Sequence, residues 1–253
     1  MQSDQNFLFI LRFLGTNYHG WQIQKNAVTV QEIFQNSLFK LINSTTDIKG
    51  CSRTDSGVHA NCYCVSAKIS IKIKPSKLIL ALNNFLPDDI RVVDCIKVED
   101  SFHARYSCIA KEYIYKIYNH KVMDPFMFGR SLHFWYDLDL NLMNRLASSF
   151  VGYHDFSSFC SIDKRKSENM SRNVMYFNIH KKDNIVEFRV KSDGFLYNMV
   201  RIMVGTLLEG NYKKMNELDI LHILNSKDRS LAGPTVPAHG LYLNRVFYKG
   251  ITI

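Results

Sequence analysis

The sequence predicts an α+β protein of two halves, 1–104 and 105–253, each made of sheet with helices packed on it. Three observations predict it. Strand-like and helix-like apolar patterns follow one another along the whole chain, 46% of the 253 residues are hydrophobic, and no Gly/Ser-rich linker separates the halves. A chain of this length and composition can bury a sizeable core, so disorder is not the default.

The first strand is expected at about 7–14, where an apolar run is broken only by Arg12, and a loop through Gly15 and Gly20 follows. Thr29 and Glu32 then form a capping-box pattern, in which a hydroxyl accepts from the amide three residues on while the acid reaches back. Val30, Ile33, Phe34, Leu38, Leu41 and Ile42 recur behind it on one helical face. A strand at about 61–71, a helix at about 76–85 closed by Pro87, and a strand at about 90–98 complete the first half.

The second half opens on Tyr113-Ile114-Tyr115-Lys116-Ile117-Tyr118, a β-branched and aromatic run typical of a strand. A helix at about 139–150 and two strands come next. Val186, Phe188 and Val190 alternate with Glu187, Arg189 and Lys191, the pattern of one buried and one wet face. Asp193-Gly194 turns the chain into a helix running to about 209, a second helix lies near 216–226, and a last strand covers about 241–248.

Lys and Arg total 32 against 23 Asp and Glu, a net charge of +9, which points to a polyanionic partner such as nucleic acid or a membrane surface. No apolar run approaches the roughly 20 residues needed to span a bilayer. The apolar N-terminal stretch lacks a basic leader and is not read as a signal peptide. With no linker the halves are expected to share an interface, and a cleft between two sheets suits RNA. The six cysteines, at positions 51, 62, 64, 95, 108 and 160, show no C-x-x-C spacing, so neither structural zinc nor a disulfide framework is expected. Cys62 and Cys64 fall on one face of a strand and pack as small apolar groups. All six read as reduced thiols, and the chain as cytoplasmic.

The stretch Cys51-Ser52-Arg53-Thr54-Asp55-Ser56-Gly57-Val58-His59-Ala60 places one carboxylate among a cation, the two flanking hydroxyls of Thr54 and Ser56, and a glycine. Asp55 can be held ionised there by charge and hydrogen bonds while a substrate approaches over the bare backbone of Gly57. The same residues also suit an Asx turn, in which Asp55 satisfies only the amides of Ser56 and Gly57. Arg201 is the second notable residue, because in the apolar run Met199-Val200-Arg201-Ile202-Met203-Val204 a buried guanidinium is costly unless paired. It can snorkel to a wet helix edge or bind a carboxylate. Tyr113 and Tyr115 share a strand face, where either ring can pack in the core or stack on a base. His59 is read as structural, and Lys164-Arg165-Lys166 as a solvated loop able to contact phosphate. Asp88-Asp89 looks like turn chemistry beyond Pro87. Gly15, Gly20 and Gly57 do not make a phosphate-binding fingerprint, and no cofactor or metal is expected.

The string from Arg53 to Ala60 closely resembles the signature of the tRNA pseudouridine synthase A family. Further matches occur in order through Tyr18-His19-Gly20-Trp21-Gln22, Asn83-Asn84-Phe85-Leu86-Pro87, Phe102-His103-Ala104-Arg105, Lys111-Glu112-Tyr113-Ile114-Tyr115, Arg172-Asn173-Val174, Phe195-Leu196-Tyr197-Asn198-Met199-Val200-Arg201 and Gly240-Leu241-Tyr242-Leu243. Departures are small: Ser56 stands where alanine is frequent, and Cys51-Ser52 where a small residue and glycine are often seen. The resemblance implies two ferredoxin-like (RNP-like) halves joined into an extended antiparallel sheet flanked by helices, with the active site in a central basic cleft. It implies a homodimer spanned by one tRNA, and conversion of uridine to pseudouridine at tRNA positions 38, 39 and 40. Asp55 matches the catalytic carboxylate, acting either by adding to the base or by assisting departure and proton transfer. Arg201 matches the arginine that contacts it, Tyr113 the residue that packs on the target base, and Arg53 a group that displaces that base or holds flanking RNA. The roles of Arg53 and Arg201 are interchangeable at this level. Leu243, in the last motif, joins the substrate-binding set.

Two other classes fit less of the sequence. A non-catalytic RNA-binding module on the same fold accounts for the charge but gives Asp55 no task. A metal-dependent nuclease wants clustered carboxylates, which the stretch around Asp55 lacks.

Overall fold

A computed structural model describes residues 4–70, 73–161 and 169–253. The chain is α+β, with a large, mostly antiparallel sheet flanked by helices. It groups into two compact units, Met1–Ile109 with Tyr242–Ile253, and Ala110–Leu241.

The first unit is built on β1 (Gln5–Phe13), α1 (Val30–Ile42), β2 (Ile48–Gly50), β3 (His59–Ile69), α2 (Pro75–Asn83) and β4 (Ile90–Val98). β1 lies between β3 and β4, antiparallel to both. That central place explains its nearly continuous apolar sequence, since both faces are covered and Phe7, Leu8, Phe9, Ile10 and Leu11 are all buried. α1 starts where the capping pattern put it, with the Thr29 hydroxyl accepting from the Glu32 amide at 3.4 Å. Asn43 ends it in the left-handed conformation. On its buried face Phe34 meets Phe9 of β1 edge-on, 5.5 Å between ring centres. α2 opens on Pro75, whose fixed φ suits a first helical position, and Asn83 at its end clamps β4 by bonding both backbone groups of Val92 at 2.8 and 2.9 Å. The β1–β3 register shifts between Leu11 and Phe13, leaving Phe13 opposite Ala60. Both strand ends therefore open onto the segment that carries Asp55.

The second unit contains β5 (Cys108–Tyr118), β6 (Leu132–His133), α3 (Leu140–Ser148), β7 (Gly152–Asp155), β8 (Ser171–Lys182), β9 (Ile185–Ser192), α4 (Met199–Lys213) and α5 (Glu217–Ser226). Its strands run antiparallel in the order β5-β9-β8-β7, with β6 adding a short parallel bridge to β5. Tyr113, Tyr115 and Ile117 stand opposite Val190, Phe188 and Val186, so the apolar alternation expected from both strands falls on one buried face. Asp139 caps α3 by accepting from the Leu142 amide at 3.0 Å, and Asn144 ties that helix to β8 through both backbone groups of Ile179. α5 begins with a complete capping box made by Asn216 and Asp219.

The last strand, β10 (Leu241–Tyr248), runs parallel to β3, with Tyr242 opposite His59 and Leu243 opposite Ala60. This pairing carries the C-terminal segment into the first unit, so the grouping differs from two consecutive lengths of chain. None of the six cysteines is in a disulfide, and all but Cys108 are buried. Among the described residues, no helix is long and apolar enough to cross a membrane.

Candidate active site

Asp55 lies in the loop that leads from β2 into β3. Its carbonyl accepts from the Val58 amide at 3.2 Å, and Gly57 has a φ of +79°, so residues 55–58 form a turn whose third position needs a positive φ. Glycine meets that need without strain. The Asp55 side chain is half-buried, Arg53 beside it is exposed, and Thr54 Oγ1 is buried with no hydrogen-bond partner among the described residues.

The loop is held from behind by residues 15–21. Gly57 N and the Ser56 hydroxyl both donate to the Tyr18 carbonyl, at 3.2 and 3.3 Å, and Trp21 N donates to the Thr54 carbonyl at 3.3 Å. Two glycines make this approach feasible. A Cβ on Gly15 would lie 2.0 Å from the Val58 carbonyl oxygen, and one on Gly20, whose φ is +81°, would lie 2.3 Å from that of Thr54. Trp21 stacks on Tyr63 with ring centres 4.2 Å apart, and the Tyr63 hydroxyl donates to the Ser52 carbonyl. The Asp55 turn thus rests on backbone and rings with little freedom to shift.

Asp89 anchors this support. It accepts from the Tyr18 hydroxyl at 2.5 Å and from Asn17 at 3.1 Å, while its carbonyl accepts from Leu14 N at 2.9 Å. Burial, then the hydrogen bond and negative charge of Asp89, push the Tyr18 hydroxyl above its ordinary pKa, so it stays a proton donor. Asp88 pairs with Arg91. The pair beyond Pro87 is therefore more than turn chemistry: Asp89 fixes the segment beneath the catalytic candidate. Nothing local in Asp88-Asp89 reveals this, because its partners lie some seventy residues earlier.

His59 is fully buried, and its Nδ1 accepts from Gly15 N at 2.9 Å. That bond leaves the ring proton on Nε2 in the neutral form. The ring lies 4.7 Å from that of Tyr242, so His59 joins β3, β10 and the Gly15 turn as a structural residue. Leu243, also fully buried, sits beside Ala60.

In the second unit Arg201 occupies the first turn of α4. Its Nε donates to the Val236 carbonyl at 2.8 Å and its Nη1 to Asn198 Oδ1 at 2.7 Å, while Val236 N returns a bond to the Arg201 carbonyl at 3.4 Å. The segment from Gly233 to Gly240 straps this helix: Gly233 N donates to the Thr206 hydroxyl at 2.9 Å, and a Cβ on Gly205 would lie 1.9 Å from the Pro234 oxygen. His239, on the same strap, is held below its ordinary pKa by burial and then by the charge of Arg201, which keeps the imidazole neutral.

Tyr113 is buried, with its ring edge-to-face against Phe195 at 5.0 Å and 84°. Tyr115 is a core residue: fully buried, it donates its hydroxyl to the Pro237 carbonyl at 2.8 Å. Lys164, Arg165 and Lys166 lie outside the described residues.

A family model described as tRNA pseudouridine synthase matches residues 10–107 and 146–249. The tRNA pseudouridine synthase A of Thermoanaerobacter sp. (strain X514) is 45% identical over 244 residues, covering 96% of this chain and 100% of its own length. That of Ruminiclostridium cellulolyticum is 42% identical over 239 residues, covering 94% and 97%. A Clostridium tetani protein, tRNA pseudouridine synthase A 2, is 40% identical over 250 residues, covering 97% and 99%. Solved structures it resembles are longer. The chain spans 43% of one from an archaeal box H/ACA sRNP Nop10-Cbf5 complex, at 13% identity and a TM-score of 0.35, and 59% of one from a Cbf5-Nop10-Gar1 complex, at 12% identity and the same score.

Proposed function

We propose that this chain, which belongs to the tRNA pseudouridine synthase family, converts uridine to pseudouridine at positions 38, 39 and 40 of the tRNA anticodon arm, with Asp55 as the catalytic nucleophile. The observation that carries the proposal is the Asp55 turn itself. A half-buried carboxylate is mounted on backbone that two glycines and five hydrogen bonds or ring contacts hold still, which is how a site places a reacting group.

The reaction breaks the N1–C1′ bond of the nucleotide and forms C5–C1′, while a proton leaves C5 and another is taken up at N1. No electrons are gained or lost. It needs an anion at the junction of sugar and base, which Asp55 supplies. Arg201 is assigned the task of keeping that carboxylate ionised and oriented, on the strength of the family motif around it. Arg53, exposed two residues before Asp55, is assigned to the flanking RNA backbone, and Leu243 to the apolar floor beside Ala60. The target base must leave its stack, at a cost of a few kcal/mol that stacking and phosphate contacts offset. The chain is proposed to act as a homodimer, each tRNA touching both copies.

The deciding experiment incubates the purified chain with tRNA carrying tritium at C5 of its uridines, with chelator present. Tritium release, with pseudouridine mapped to positions 38–40, is the expected result. Tight tRNA binding without release would leave only a binding module.

Two further outcomes are expected. Because a chain of net charge +9 releases counterions on gripping RNA, tRNA affinity should fall at least about tenfold between 50 and 200 mM salt. A flat salt dependence would argue against a basic RNA surface. Tyr113→Leu removes the flat ring assigned to the target base, a contact worth about 1–3 kcal/mol, and should lower kcat/KM by about 5- to 150-fold. Tyr115→Phe, which loses only the bond to Pro237, is the comparison. If the Tyr113→Leu loss is matched by its fraction unfolded, or by Tyr115→Phe, Tyr113 is a packing residue only.

A further inference from the structure

We propose that Asn198 is a positioning residue, whose side-chain amide sets the guanidinium of Arg201 and ties it to Ser161; the inference rests on the role assigned above to Arg201. Asn198 stands at the N-cap of α4, where asparagine ordinarily takes extended backbone angles and accepts from the second or third amide of the helix. Here it does neither. Its φ is 61° and its ψ 5°, and its side chain makes no capping bond. A left-handed backbone is unfavourable for most residues with a Cβ and is tolerated by asparagine where its short side chain finds hydrogen-bond partners.

The Asn198 side chain makes two hydrogen bonds, neither of them to a backbone amide of the helix. Oδ1 accepts from Arg201 Nη1 at 2.7 Å, and Nδ2 donates to the Ser161 hydroxyl at 2.8 Å. A guanidinium only donates, so the amide oxygen must face it and the amide nitrogen must face Ser161. Ser161 is itself fixed, its backbone N donating to the Tyr197 carbonyl at 3.1 Å. Arg201 Nε is held separately by the Val236 carbonyl. Two anchor points on one planar group leave its fork little rotation. A residue needed only to start the helix would cap it, and asparagine suits the left-handed turn without needing either of its side-chain partners. Both ends of the Asn198 amide are nonetheless engaged, the oxygen by Arg201 and the nitrogen by Ser161, so the side chain serves Arg201.

The test uses the full chain with tRNA substrate and compares Asn198→Gly, Asn198→Asp, Ser161→Ala, Arg201→Gln and the double variant Asn198→Gly/Arg201→Gln, reading kcat, KM and thermal midpoint. Glycine relieves the backbone and deletes the amide, so the folded chain should persist while kcat falls about 10- to 100-fold, the scale of a misplacement near 1 Å. KM should stay within about threefold, since an interaction used only in the reacting complex lowers kcat alone. Asn198→Asp keeps the shape but offers Arg201 a competing carboxylate, and should be at least as slow. Ser161→Ala releases the amide without touching Asn198 and should lower kcat less. The double variant should be no slower than Arg201→Gln, because the amide acts only through the guanidinium.

Wild-type kcat in Asn198→Gly, or losses that multiply in the double variant, overturns the inference and leaves the proposed function intact. Near-normal turnover by Arg201→Gln overturns both the inference and the role given to Arg201. If Asn198→Gly does not fold, unchanged kcat in Ser161→Ala and Asn198→Asp overturns the inference. Failure of the unmodified chain to release tritium is a separate readout and counts against the proposed function.

Discussion

Asp55→Asn is expected to lose turnover by about 10⁴-fold or more while keeping its fold and most of its tRNA affinity, as removal of a nucleophile does elsewhere. The amide is nearly isosteric, and the turn that carries it depends on backbone groups the substitution leaves alone: the Asp55 carbonyl, the Val58 amide and the Gly57 φ of +79°. The half-buried side chain faces no packing change. What disappears is the negative charge and the electron pair able to attack the sugar–base junction. Tritium release and tRNA binding, measured on the same preparation, should therefore separate completely. Normal pseudouridine formation by the variant would remove Asp55 from the mechanism, whatever its turn looks like.

Gly20→Ala should also abolish most activity, although residue 20 carries no chemistry. Its backbone has a φ of +81°, and an added Cβ would sit 2.3 Å from the Thr54 carbonyl oxygen and 3.1 Å from the carbonyl carbon of Asp55. Neither atom is the end of a flexible side chain, so the Asp55 loop must move or residue 20 must leave its left-handed conformation. Strain and overpacking together should cost about 2–4 kcal/mol of stability. Displacing the carboxylate by near 1 Å should cost about 100-fold in kcat in the fraction that stays folded. Thermal unfolding and kcat of the folded fraction check the two effects separately. A variant with the wild-type midpoint and wild-type kcat would show that the close approach of residues 15–21 to the loop is not needed to hold Asp55.

Much of the fold was readable along the chain. α1 begins at Thr29 because a threonine hydroxyl and an amide three residues on are neighbours in any helix start, and β9 alternates because a strand with one covered face must. The strand expected from residue 61 begins at His59 instead, since pairing with β1 and β10 extends it past the last apolar alternation. β2, β6 and β7, of three, two and four residues, are too short to show a period. The box at Asn216 went unread because its acid is an aspartate, outside the commoner Ser/Thr…Glu/Gln form.

The residues of the site divide in the same way. Of the residues proposed for the site, Asp55 and Arg201 stand out in the sequence because a carboxylate beside glycine and a cation in an apolar run are each locally unusual, whereas Tyr113 is set apart from Tyr115 only by the family resemblance. Asp89 and Asn198 do not stand out, since each looks like an ordinary loop or cap residue until its partner is known. Tyr18 is 71 residues from Asp89, and Ser161 is 37 from Asn198. Periodicity and capping are properties of a few consecutive residues, so the chain alone specifies its helices, most of its strands and the chemical groups on offer. Which backbone can approach Thr54 closely enough to require glycine at position 20, and which amide meets Arg201, depends on how distant segments pair and pack. That was decided only when the chain was folded, because hydrogen bonds and steric contacts act over distances in space and carry no trace in local pattern.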